Sequence, residues 1–168
     1  MKFEKNVVLI DDRKTYYWQK GNVKNPVVVF LHGFPGNHAG LFPLARGFGE
    51  NHRLVIPDMP ACGETEALAQ NHILENYAGW LADFLDELKL GKVILVGHSF
   101  GARTALVFAQ KYPQKLEKLV LMTPVLKVDG LIARIASLKG TIAKFLPVAL
   151  QKPWLSNPLY QKAVHVII

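Results

Sequence analysis

The 168-residue sequence has one cysteine, no long uncharged apolar run, and no acidic residue after Asp129. A lone Cys62 excludes an internal disulfide and suits a reducing compartment. The apolar run nearest the N-terminus, Val7 to Ile10, is too short for a signal-peptide core, and no stretch reaches the roughly 20 apolar residues a membrane span needs. A cytoplasmic location is expected. The six histidines, at 32, 38, 52, 72, 98 and 165, lie too far apart for a local metal motif, so no metal or other cofactor is expected. Basic residues are scattered without interleaved aromatics, which argues against a nucleic-acid partner. There are no internal repeats and no low-complexity stretches.

Charge is uneven along the chain. Residues 1–129 hold 15 Lys/Arg against 13 Asp/Glu, and 130–168 hold five Lys/Arg and no acid, so most of the net +7 lies in the last quarter. Leu131 to Lys139 reads as a basic amphipathic helix, a type that can lie on membranes. At 100° per residue, however, Arg134, Lys139 and Lys144 spread around the axis and do not line one face. Membrane association is therefore not the expected role.

Half of the residues are hydrophobic, and they fall into alternating strand and helix patterns. Strands are expected over Phe3 to Asp11, Lys14 to Gln19, Pro26 to Leu31, Arg53 to Asp58, 92–96 and Leu116 to Met122. Helices are expected over Leu41 to Phe48, after an Asn71 cap, and over 100–112. In the second helix Ile73, Leu74, Tyr77, Trp80, Leu81, Phe84, Leu85 and Leu88 recur at helical spacing, the mark of a face packed on a sheet. Alternation of this kind argues for a largely parallel sheet covered on both faces.

One segment carries chemistry. The apolar run Val93-Ile94-Leu95-Val96 leads into Gly97-His98-Ser99-Phe100-Gly101 and then into Ala102-Arg103-Thr104-Ala105-Leu106. Strand, Gly-x-Ser-x-Gly, helix is the arrangement that raises one serine on a sharp turn above a sheet, and the flanking positions must be tiny. The pattern by itself occurs by chance in roughly one chain in twenty of this length; its place between a strand and a helix gives it meaning. A second loop agrees. Strand 26–31 runs into His32-Gly33-Phe34-Pro35-Gly36, where a backbone N–H could face an oxyanion made by attack of the serine.

On these two motifs the chain resembles the α/β-hydrolases with a His-Gly-x-Pro-Gly oxyanion loop and a Gly-His-Ser-x-Gly elbow. The resemblance implies Ser99 as nucleophile, with the N–H groups of Phe34 and Phe100 as oxyanion donors. It also implies acyl transfer on a carboxylic ester or related carbonyl substrate. Ser99 argues against the family's dehalogenases and epoxide hydrolases, which carry aspartate there. It leaves esterase, thioesterase, carbon–carbon hydrolase, aminopeptidase and acyltransferase open. Met59-Pro60-Ala61-Cys62-Gly63-Glu64-Thr65 is similar to the family's turn after the fourth strand, with Ala61 for a glycine and Thr65 for a serine. Asp58 before it reads as a turn-stabilising residue, and Cys62 as small filler.

The family places its acid and its histidine after later strands, in the order Ser…Asp/Glu…His. Here the residues beyond Met122 do not read as two further βα units. Asp129 reads as a helix cap or loop residue. His165, in the apolar tail Ala163 to Ile168, reads as packing in an incomplete element, and His98 as a side chain packed beneath the serine. The family needs about 250 residues, so the sequence is expected to cover its N-terminal part, with the isolated chain inactive. Residues 1–126 would form the core and 127–168 the start of a helical cap. About six strands are expected. The sixth would then be an exposed apolar edge that invites self-association or a partner chain. A non-catalytic binding protein and one half of a split enzyme are the rival readings.

Overall fold

Exposed and buried positions interleave along the first two strands, whose ends are polar, and largely apolar, buried runs follow in the next three. That difference sets the sheet. The computed structural model describes residues 2–123 and 164–166. Its seven strands are β1 (Glu4–Ile10), β2 (Arg13–Lys20), β3 (Val27–Leu31), β4 (Arg53–Pro57), β5 (Val93–His98), β6 (Leu116–Met122) and β7 (Val164–Val166). They pair in the order β1-β2-β4-β3-β5-β6-β7. β1 and β2 form an antiparallel hairpin joined antiparallel to β4. The rest are parallel. The hairpin leaves one face partly wet, with Val7 and Leu9 exposed, whereas β3, β4 and β5 are buried almost throughout.

Helices cover both faces, as the alternating pattern predicts. On one, α2 (Leu74–Glu87) and α3 (Phe100–Lys111) pack against Val29, Leu31, Val55, Leu95 and Leu119. Tyr77, Trp80, Leu81, Phe84 and Leu85 supply the buried stripe of α2. Each large side chain so buried stabilises the fold by about 1.5–3 kcal/mol. On the other face, a 3-10 turn (His38–Leu41) and α1 (Phe42–Arg46) cover Val28, Phe30, Leu54, Ile56 and Val96.

Three expectations need correction. The first crossover helix is not continuous over Leu41 to Phe48: Pro43, lacking an N–H, stands in the first turn of α1, and the preceding turn is 3-10. The cap of α2 is Ile73, in extended backbone and without a side-chain bond. Asn71 acts through its carbonyl, which accepts the Ile73 N–H at 2.9 Å and the Asn76 amide at 2.8 Å. The sixth-strand edge is not bare, because β7 pairs in parallel with Leu119 to Leu121. The expected cap segment, the 126/127 boundary and Asp129 lie outside the described residues.

Candidate active site

β5 ends at His98 and α3 begins at Phe100, so the whole change of direction falls on Ser99. Its φ is 52° and its ψ −112°, a conformation side-chain-bearing residues rarely adopt. The turn is held from several directions. The Ser99 N–H donates to Met122 O at 3.0 Å, and its carbonyl accepts from Ala102 and Arg103 at 3.1 and 3.2 Å. The flanking glycines are steric requirements. A Cβ on Gly97 would stand 2.6 Å from Ala102 Cα, and one on Gly101 2.7 Å from His32 O.

The loop after β3 comes to the same place. A Cβ on Gly33 would lie 3.0 Å from Ser99 Cβ and 3.2 Å from His98 Nδ1, so the loop runs directly against the elbow. Phe34 follows with a side chain 68% exposed. Neither the Phe34 nor the Phe100 N–H donates to a protein acceptor among the described residues. Two backbone donors without a partner among the described residues therefore stand in the two segments that meet at Ser99.

His32 is buried and uses both ring nitrogens. The Met59 N–H donates to its Nε2 at 2.9 Å, so the ring proton is on Nδ1, which donates to Gly33 O at 2.8 Å. Burial holds its pKa below the ordinary value, against the opposing pull of the Gly33 carbonyl and Asp58. A neutral ring with both nitrogens engaged cannot serve as a general base. Asp58, fully buried, accepts from the His38 N–H at 2.7 Å, His38 Nδ1 at 2.9 Å and the Glu64 N–H at 3.0 Å. His38 in turn stacks on Trp18 at 3.2 Å between ring centroids. The Asp58 carboxylate is thus committed to the turn. Burial pushes the Cys62 thiol pKa up, with Asp58 adding to the rise, which leaves that sulfur a poor nucleophile.

Among the described residues no side chain hydrogen-bonds the Ser99 hydroxyl. The β7 backbone sets His165 beside Val120, two rungs before Met122, whereas Ser99 follows the His98–Met122 rung. Two clefts, of about 250 Å³ between the β1–β2 hairpin and α2 and of about 800 Å³ by Lys20 to Asn25, both lie away from Ser99. Sequence reasoning missed the His38–Asp58 pair and the bonds joining His72, Tyr77 and Pro60, because contacts between distant loops leave no periodic trace.

Residues 26–165 match the family model described as the alpha/beta hydrolase fold. The chain belongs to the α/β-hydrolase family. Among its relatives, the proline iminopeptidase of Neisseria gonorrhoeae is 32% identical over 124 residues, which is 71% of this chain and 39% of that protein. Human epoxide hydrolase 4 is 32% identical over 109 residues, covering 64% of this chain and 30% of that one. The crystal structure of E-2-(acetamidomethylene)succinate hydrolase superposes with a TM-score of 0.70 at 27% identity, over 80% of this hydrolase-family chain and 51% of its own. The chain thus spans well under two thirds of the length of these relatives. Among the described residues, no helix is long and apolar enough to cross a membrane.

Proposed function

We propose that Ser99 is the nucleophile of a hydrolase acting by acyl transfer on a carboxylic ester or a related carbonyl compound. The observation that carries this reading is the positive φ of Ser99 beside two backbone N–H groups that have no partner among the described residues, since a strained serine is what acyl transfer uses and mere packing does not. Ser99 Oγ attacks the carbonyl carbon and passes its proton to a base. The N–H groups of Phe34 and Phe100 hold the negative oxygen. The carbon–oxygen bond to the alcohol breaks as the alcohol leaves with a proton, and water then cleaves the acyl-serine to the free acid. In the family the base is a histidine from a later strand, and none of His32, His38, His52, His72 and His98 is bonded to Ser99. The relative named for peptidase action makes an amide carbonyl the second substrate to try. A small molecule in a reducing, cytoplasmic setting is the expected partner, with no cofactor.

The Ser99 hydroxyl, without a hydrogen-bond partner among the described side chains, favours a second reading, a hydrolase-fold protein that binds without catalysis. One experiment separates the two. The 168-residue chain is treated with a fluorophosphonate, with and without added imidazole as an external base. Labelling that rises with imidazole and disappears in Ser99→Ala is the expected result. Labelling that is absent throughout, or equal in Ser99→Ala, overturns the nucleophile and leaves the binding reading.

A further inference from the structure

Met59 and Pro60, on the loop after β4, are tied to both segments that carry the Phe34 and Phe100 N–H donors. On one side, the Met59 N–H holds His32 Nε2 at 2.9 Å, and His32 Nδ1–H holds Gly33 O at 2.8 Å. Gly33 C=O and Phe34 N–H belong to one planar peptide unit. Fixing the carbonyl therefore fixes the direction of the N–H, which in a trans peptide points the opposite way. On the other side, the Tyr77 hydroxyl donates to Pro60 O at 3.3 Å and accepts from His72 Nδ1 at 2.8 Å. The Tyr77 ring packs edge-on against Phe100, 5.0 Å between centroids and 86° between planes.

We propose that Met59 and Pro60 form a clasp that sets the Phe34 and Phe100 N–H groups relative to one another, with His32 and Tyr77 as its positioning residues. The proposal rests on the oxyanion role given to those groups above. It assigns a purpose to a loop that the motifs treat as a turn. His32 and Met59 are almost wholly buried, and Tyr77 is 6% exposed. In such surroundings a lost bond is not replaced by water, so the orientation it enforces is lost as well. None of the hydrogen bonds or ring contacts of Tyr77 among the described residues reaches the 33–36 loop. A Tyr77 that acted only through Phe100 and the Gly101–His32 contact would leave the exchange of the Met59 amide unchanged.

The test is the amide spectrum of the 168-residue chain, comparing the unmodified protein with Tyr77→Phe, which keeps the ring and removes the hydroxyl. Displaced resonances at both Phe100 and Phe34, with Met59 amide exchange faster by about threefold to tenfold, are expected. A change at Phe100 alone overturns the clasp. If Tyr77→Phe does not fold, hydrogen exchange in the unmodified chain decides. One clasp requires the Met59 and Gly101 amides, both bonded to His32, to open together with protection factors within about threefold. A gap beyond about thirtyfold overturns it. Loss of Ser99-dependent labelling with these couplings intact removes the nucleophile reading but leaves the clasp. Intact labelling with uncoupled amides removes the clasp alone.

Discussion

The Gly101 N–H donates to the His32 carbonyl at 3.1 Å, and a methyl group built on Gly101 would stand 2.7 Å from that same oxygen. Helix α3 and the end of β3 meet there backbone to backbone. Nothing at the contact is a flexible side chain tip that could swing aside. Gly101→Ala is expected to cost about 1–3 kcal/mol through forced backbone displacement, read as a lower urea midpoint at unchanged slope. An unaltered midpoint would show that α3 slides freely on β3.

Ser99→Gly and Ser99→Ala are expected to differ in stability although both lack the hydroxyl. At φ 52° a Cβ costs of order 1–3 kcal/mol, and glycine's extra freedom in the unfolded chain returns about 0.4–1 kcal/mol of that. Ser99→Gly should thus be the more stable by about 1 kcal/mol in thermal or urea unfolding. Equal stabilities would mean that the turn carries no strain.

Asp58→Asn keeps the shape of a fully buried side chain that accepts three hydrogen bonds, but turns an NH₂ group toward donors. A loss of about 2–4 kcal/mol is expected from the broken charge-assisted bonds and the stranded N–H groups. Chemical denaturation measures it. A change under about 0.5 kcal/mol would show that the turn holds without the carboxylate.

His32 makes stability depend on pH in a defined direction. Its folded-state pKa lies below the ordinary 6.5, chiefly through burial, so below that pH the unfolded chain takes up a proton that the folded chain refuses. The stabilising contribution is complete above about 6.5 and is lost as pH falls through the lower folded value. His32→Gln removes this proton uptake. Its unfolding free energy should fall less steeply than that of the unmodified chain between pH 7 and pH 5. Parallel slopes would show that folding does not lower the His32 pKa.

Elements with a strong local period were legible. The range of β6 matches its sequence expectation, and the stripe Tyr77, Trp80, Leu81, Phe84, Leu85 gives α2 its buried face. Gly97 and Gly101 marked the elbow because close backbone approach tolerates no other residue there, and Gly33 marked the loop that runs against it. The cap of α2 was misread because Asn71 satisfies donors through its carbonyl and not its side chain. β7 escaped because three residues show no period, and its pairing with β6 depends on chain far away in sequence. The Asp58–His38–Trp18 stack was equally invisible, being a meeting of three separate segments.

The two faces of the sheet are unequal. α3, which begins beside Ser99, is built into the large cluster with α2, whereas the loop bearing Phe34 leads to the 3-10 turn and five-residue α1 over the smaller one. Local opening starts where buried contacts are few. Among the described residues the site therefore straddles two packing layers of different size, the serine seated on the larger and the Phe34 loop leading to the smaller, with the bonds of His32 to Met59 and Gly33 spanning the boundary. Alignment of the site thus depends on how firmly one layer is fastened to the other.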